Sequence, residues 1–343
     1  MTRTLLHIGA SKCGSSALQT ALSGRPTLGA AAGGRDVYAA IKRSGIVLEG
    51  EALRASARRS VHGYEITAKA KDLANLTAGQ LESARRRLAE VAGTDRLILS
   101  HEGFLAAADV FREHRLLAAL GLEVHALAYV RPQTSFLNSA WWQWGAWSGK
   151  PLAKWVRARL PHANWAALIA QWKALAGVRE VTVRLLPSDV VADFCGVLGR
   201  PSDALGDSRQ VNRTLPPEIL RVFQRHAALR PTPHASRLDF ALERHFGDPT
   251  ARPVWVIDQA MAAEIIAASR PGNLELREML DPESRSQMDA DARWWHADAY
   301  AEMPLQAWQR RAPDAPALEA LLVRALAVIR SLHAEQVRLK AGR

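Results

Sequence analysis

The segment His7-Ile8-Gly9-Ala10-Ser11-Lys12-Cys13-Gly14-Ser15-Ser16 places two glycines, a lysine and adjacent hydroxyls close together. That mixture suits an anion. Glycines let backbone N–H groups close on a phosphate or sulfate, and a helix N-terminus adds partial positive charge. Lys12 brings a full charge, and Ser15 and Ser16 bring hydroxyl donors. The apolar run Thr4–Gly9 reads as a buried strand ahead of the loop, and Ala17, Leu18, Ala21 and Leu22 read as the apolar face of a helix after it. A Walker A loop sets its lysine directly after the second glycine and follows it with a magnesium-binding Ser or Thr. Here Lys12 precedes Gly14 by two positions, so the pattern differs. An ordinary strand–turn–helix junction with an exposed lysine fits the same residues.

Two further strand ends carry chemistry. Val124–Val130 runs into Arg131-Pro132, with Ser139 on the helix that follows. A guanidinium can clamp a phosphate bidentately, and a hydroxyl from the next helix can complete the pocket. The run Arg96–Ser100 ends at His101-Glu102. Either side chain can take a proton: imidazole titrates near neutrality unaided, whereas a carboxylate needs surroundings that raise its pKa. Glu102 can equally cap a helix beginning near Gly103-Phe104.

Taken in order, Lys12-Cys13-Gly14-Ser15-Ser16 after His7-Ile8-Gly9, and Arg131 with Ser139 after a later strand, resemble the co-substrate site of bacterial-type sulfotransferases that use 3′-phosphoadenosine 5′-phosphosulfate (PAPS). The usual loop of that family reads Lys-x-Gly-Thr-Thr, so serines stand here where threonines are common. Asn164-Trp165 with Trp172, Val181–Leu186, Asp193-Phe194, Leu198-Gly199 and Asn212-Arg213-Thr214 extend the likeness over roughly residues 1–225. The resemblance implies sulfuryl transfer from PAPS to an acceptor hydroxyl or amine, without a metal, releasing adenosine 3′,5′-bisphosphate. It implies that Gly9, Ser11, Lys12, Cys13, Gly14, Ser15 and Ser16 hold the 5′-phosphosulfate, and that Arg131 and Ser139 hold the 3′-phosphate. Lys12 would neutralise charge on the leaving group. Family members use either His or Glu as the base; a Ser-x-Glu strand end is common among bacterial relatives and favours Glu102 over His101. A P-loop kinase or NTPase, or an inactive relative that holds a nucleotide, are the competing readings.

Such a site needs strands to deliver its loops. Thr4–Gly9, Ile46–Leu48, Arg96–Ser100, Val124–Val130 and Val181–Leu186 are short apolar runs of the kind that a sheet covered on both faces requires. Helical patterns fall between them: one opened by the capping box Thr77-Ala-Gly-Gln80, one carrying Trp165, Ile169 and Trp172, and one from Asp189 to Leu198 closed by Gly199. Alternating strands and helices predict an α/β, P-loop-like, doubly wound parallel sheet. From Pro216 onward the pattern is mostly helical and ends in a stripe of Leu318, Leu321, Leu322, Ala325, Ile329 and Leu332. The expected organisation is one unit over 1–343, with a nucleotide-binding core at 1–215 and a helical cover at 216–343.

The chain has 343 residues, 48% of them apolar, and a formal charge of +11, which favours an anionic partner. Its arginines are scattered rather than gathered in a tail, which argues against a nucleic-acid arm. Two cysteines, Cys13 and Cys195, make no disulfide framework and point to a reducing compartment such as the cytoplasm. Gly9 and Lys12 interrupt the first apolar stretch too early for a signal h-region, and no later segment reads as a membrane span. Among eleven tryptophans, Trp141, Trp142, Trp144 and Trp147 cluster after Ser139, with Trp142 one helical turn from it. Such rings either stack on an acceptor or pack a core. His7 reads as a buried, satisfied histidine. Arg209 and Arg213 either reach the nucleotide or are solvated surface charge.

Overall fold

The computed structural model describes the chain apart from residues 32–33, 94, 207–214, 234, 236, 248–253, 304, 306–314 and 342–343. Arg209, Asn212, Arg213 and Thr214 therefore lie outside the described residues. The strands are β1 (Thr2–His7), β2 (Thr27–Ala31), β3 (Gly34–Ile41), β4 (Val47–Glu49), β5 (Arg96–Ser100), β6 (Leu122–Val130) and β7 (Val178–Leu185). They form one sheet in the order β2-β3-β5-β1-β6-β7, with β4 beside β3. The pairs from β3 through β5, β1 and β6 to β7 are parallel. Strands β2 and β4 pair with β3 antiparallel, so the sheet is mixed at that edge.

The doubly wound sheet read from the sequence is present, and the β2–β3 hairpin is what that reading missed. Strand β3 opens on Gly34-Arg35-Asp36, which looks like a polar loop. Asp36 is nevertheless buried, because Arg96 Nε (2.6 Å) and Arg200 Nε (2.7 Å) donate to its carboxylate. A paired charge can sit in a strand where an unpaired one cannot.

Local signals set the helices that back the sheet. Helix α1 (Ser15–Gly24) starts at Gly14, whose φ of 86° a residue with a Cβ adopts only at a cost. The helix Ala78–Ala92 keeps its capping box: Gln80 N–H donates to Thr77 Oγ1 (3.3 Å) and Thr77 N–H to Gln80 Oε1 (2.9 Å). Asp189 caps Val190–Leu198, and Gly199 ends it with φ 70°.

Beyond residue 215 the described elements are mainly helices, including Pro217–Arg225, Arg237–Phe246, Gln259–Met279, Pro282–Ala290 and Ala315–Ala341. Ile257, Ile265 and Leu276 join the apolar core that contains Leu5, Leu99 and Leu127 of the sheet. A second cluster of Leu215, Ile219, Leu220, Phe223, Phe246 and Val254 packs against Trp142 and Trp147. The last helix departs from the expected stripe. Leu321, Ala325 and Val328 meet the second cluster, while Leu322, Ile329 and Leu332 are exposed. Among the described residues no helix is long and apolar enough to cross a membrane.

Candidate active site at the ends of three strands

Strands β5 and β6 lie on opposite sides of β1, so the chain departs from β1 in both directions. Crevices at the carboxyl ends of strands flanking such a switch point are where open α/β sheets bind ligands. Lys12 follows β1, Glu102 follows β5 and Arg131 follows β6. Three residues spread between positions 12 and 131 are thus delivered to one end of the sheet.

Glycine sets the loop geometry. Gly9 has φ 60°, and a Cβ built on it would stand 2.6 Å from the Cα of Glu102. The missing side chain is therefore what lets the first loop press on the end of β5. Lys12 itself adopts φ 64°, a left-handed conformation that costs a residue with a Cβ about 1–2 kcal/mol. Strained backbone of this sort persists where the surroundings enforce it, commonly at functional sites. Arg131 supplies one restraint: its Nη1 donates to the Lys12 carbonyl at 3.1 Å. Trp165 Nε1 donates to the Arg131 carbonyl (2.9 Å) and steadies that strand end in turn.

The remaining loop positions divide by where they point. Cys13 is fully buried, its N–H donates to the Ala10 carbonyl at 3.1 Å, and burial pushes its thiol up to about 12. It acts as a core spacer rather than a thiolate. Ser15 is also buried, with Oγ turned toward the Ala10 carbonyl at 3.5 Å. Ser11 and Ser16 are half-buried, and Ser16 Oγ lies 3.4 Å from the Tyr64 hydroxyl. Ser139 is half-buried on the helix Gln133–Gln143 that follows Arg131. The first amides of α1 have no intrahelical carbonyl to bond, as at any helix start.

The two base candidates have different surroundings. His101 is buried and stacks on Phe104 with ring centroids 4.7 Å apart. The Gly103 N–H donates to its Nδ1 at 2.8 Å, which places the proton of the neutral ring on Nε2 and leaves no free lone pair. Burial, and after it the Lys69 charge, lowers its pKa to about 4. Glu102 moves the other way: burial raises its carboxyl, opposed by Lys12 and Lys69. His7 is fully buried, shares a 2.8 Å hydrogen bond between Nδ1 and Ser100 Oγ, and is held at about 3 by burial and then by His101.

Burial lowers the Lys12 pKa, while Glu243 and then Glu102 act to keep it charged and Arg131 opposes them. Burial likewise lowers Arg131. Glu243, on the helix Arg237–Phe246, was not singled out from the sequence. Burial raises it to about 7, against the pull of Lys12. One signal was available: Asp239 and Glu243 stand four apart in a helix, a like-charge pair that is unfavourable unless cations face it.

Two of the clustered tryptophans, Trp142 and Trp147, meet the helical C-terminal part. Trp142 Nε1 donates to the Val254 carbonyl (2.8 Å), and Trp147 Nε1 donates to the Trp142 carbonyl (2.8 Å). Trp141 packs edge-on to Trp155 at 5.6 Å. The Arg230 guanidinium lies 4.6 Å over the Trp147 ring.

No protein-family model matches the chain, and no curated protein matches its sequence. Among solved structures, that of a sulfotransferase from Alicyclobacillus acidocaldarius aligns over 83% of this chain and 99% of its own, at 14% identity and a TM-score of 0.43.

Proposed function

We propose that the chain is a PAPS-dependent sulfotransferase acting on an acceptor hydroxyl or amine. The observation that carries this reading is the convergence of Lys12, Glu102 and Arg131 at the carboxyl ends of three adjacent strands, with Arg131 tied to the Lys12 carbonyl. A lysine in a glycine loop, a guanidinium beside it and a carboxylate across from it are the groups that transfer of an anionic headgroup asks for.

The residues fit such a donor. Gly9 and Gly14 let the loop pack against the Glu102 backbone and against Leu186 and Val190, and Lys12 and Arg131 offer two cations at its edge. When bound, the donor supplies an activated sulfuryl group on a nucleotide leaving group. Lys12 binds that head and offsets the charge developing on the departing phosphate. Gly9, Ser11, Cys13, Gly14, Ser15 and Ser16 shape the loop; Ser16 turns its hydroxyl to that of Tyr64, while Ser15 and Cys13 hold the loop from within. Arg131 and Ser139 take the 3′-phosphate, which is how PAPS would be told from ATP. Glu102 takes the acceptor proton, because burial makes it a stronger base than a solvated carboxylate. His101 positions the turn at Gly103, its lone pair being already engaged. No metal is assigned a role. Both cysteines are unpaired and buried, which supports a reducing compartment such as the cytoplasm.

Thermal stabilisation by adenosine 3′,5′-bisphosphate, compared with ADP and with ATP plus Mg²⁺, tests the reading. At a hundred times its Kd a ligand adds about 2.7 kcal/mol, a shift of several degrees at roughly 2–4 °C per kcal/mol. The expected result is a metal-independent shift with the 3′,5′-bisphosphate. A shift with ATP and Mg²⁺ alone would replace the reading with a nucleoside-triphosphate enzyme.

A further inference from the structure

Residues 60–69 link the helices Gly50–Arg59 and Ala70–Ala74 without regular structure of their own. They are nevertheless held at many points. Thr67 N–H donates to the carbonyl of Ser100, the last residue of β5 (3.1 Å), and Ala68 N–H to that of Ile41, the last residue of β3 (2.7 Å). Glu65, 7% exposed, uses all its polar groups to fix the segment. Its N–H donates to Ser23 Oγ of α1 (3.0 Å), and its carbonyl accepts from the Tyr38 hydroxyl (2.6 Å). Its carboxylate accepts from Lys42 Nζ (2.6 Å) and Ser56 Oγ (2.5 Å). A loop tied in this way across the carboxyl ends of β3 and β5 is a fixed strap at the end of the sheet that carries Lys12 and Glu102.

The strap presents Tyr64. Gly63, at φ 77°, turns the chain into it, and the exposed His62 stacks on its ring with centroids 5.6 Å apart. The half-buried Tyr64 places its hydroxyl 3.4 Å from Ser16 Oγ, in the first turn of α1. That spacing is long for a direct O–H···O bond, which closes at about 2.5–3.0 Å, but it suits two donors that share one acceptor oxygen. Each hydroxyl carries one hydrogen, so a bond between the two uses one and leaves the other free to donate outward.

We propose that Tyr64 is a further binding residue for the donor: its hydroxyl and that of Ser16 hold one oxygen of the 5′-phosphate between them. This deepens the donor reading given above and rests on it. Lys12 and Arg131 supply charge to the bound head, and the two hydroxyls supply direction. Because the strap fixes the phenol ahead of the ligand, little of the ordering cost falls on binding. Burial pushes the Tyr64 phenol up to about 12, so it stays a neutral donor near neutral pH.

Y64F removes the hydroxyl and keeps the ring and the strap. Wild type and Y64F are compared by calorimetry for binding of adenosine 3′,5′-bisphosphate, adenosine 5′-monophosphate and adenosine 3′-monophosphate, weak binders being read by displacement. The loss of a hydrogen bond to a charged group is expected to weaken the bisphosphate about tenfold or more in Y64F. Affinity for the 3′-monophosphate, which has no 5′-phosphate, is expected to be the same in both proteins. Equal bisphosphate affinity in the two proteins overturns the proposal. So does an equal loss for the bisphosphate and the 3′-monophosphate, which would mean that the hydroxyl only shapes the site. A wild type that binds the 5′-monophosphate as tightly as the bisphosphate overturns the donor reading; a tenfold loss for the 5′-monophosphate in Y64F then keeps Tyr64 on a 5′-phosphate. Failure of all three nucleotides to bind wild type overturns both.

Discussion

Replacing Gly9 by alanine tests the geometry on which the site depends. The residue has φ 60°, and the added Cβ would meet backbone on the far side: Glu102 Cα at 2.6 Å and its carbonyl carbon and oxygen at 3.2 Å. A left-handed alanine costs about 1–2 kcal/mol, and forcing a methyl into packed backbone costs about 1–3 kcal/mol. Restricting the unfolded chain returns roughly 0.4–1 kcal/mol. The net destabilisation is on the order of 2–4 kcal/mol, a fall in Tm of roughly 4–16 °C at about 2–4 °C per kcal/mol. G24A is the control. Gly24 ends α1 with nothing within 4 Å of the built Cβ, so alanine there is neutral or stabilising by up to about 1 kcal/mol. Thermal denaturation of the two variants side by side, followed by bisphosphate binding, provides the assay. G9A is expected to melt well below wild type and to bind more weakly, because relief of the contact separates Lys12 from Glu102. A G9A protein melting within about 2 °C of wild type would refute the claim that the loop is pressed on β5.

Two further substitutions probe the site and its cover. E102Q is expected to lower sulfuryl transfer roughly a hundredfold or more with nucleotide affinity retained, the usual scale for a lost general base; near wild-type turnover would remove Glu102 from the role. R230A leaves the Asp239 carboxylate buried without its partner, which costs about 3–5 kcal/mol in chemical denaturation, whereas the double variant R230M/D239L recovers most of that stability. An R230A protein as stable as wild type would mean that the ion pair does not hold the cover.

The parts of the site legible in the sequence are those written in local signals. The glycine loop, the apolar strands β1, β5 and β6, and the caps at Thr77, Asp189 and Gly199 each announce themselves within a few residues, and the structure has them where they were read. What was not legible depends on partners far along the chain. Strand β3 hides behind Asp36, whose burial makes sense only once Arg96 and Arg200 are beside it. The surroundings that distinguish His101 from Glu102 are one N–H from Gly103 and burial, neither of which spacing reveals. The last helix shows the same limit from the other side: its apolar residues span more than one face, and the second core cluster selects Leu321, Ala325 and Val328 while Leu322 and Ile329 remain exposed. Glu243 is the most consequential omission. Its like-charge neighbour Asp239 marks the helix as one that needs cations opposite it, but only the fold shows Arg230 paired with Asp239. The Arg230–Asp239 pair and the seat of Trp142 and Trp147 against the second cluster tie that helix to the rest of the fold, and no local pattern in the sequence records either contact.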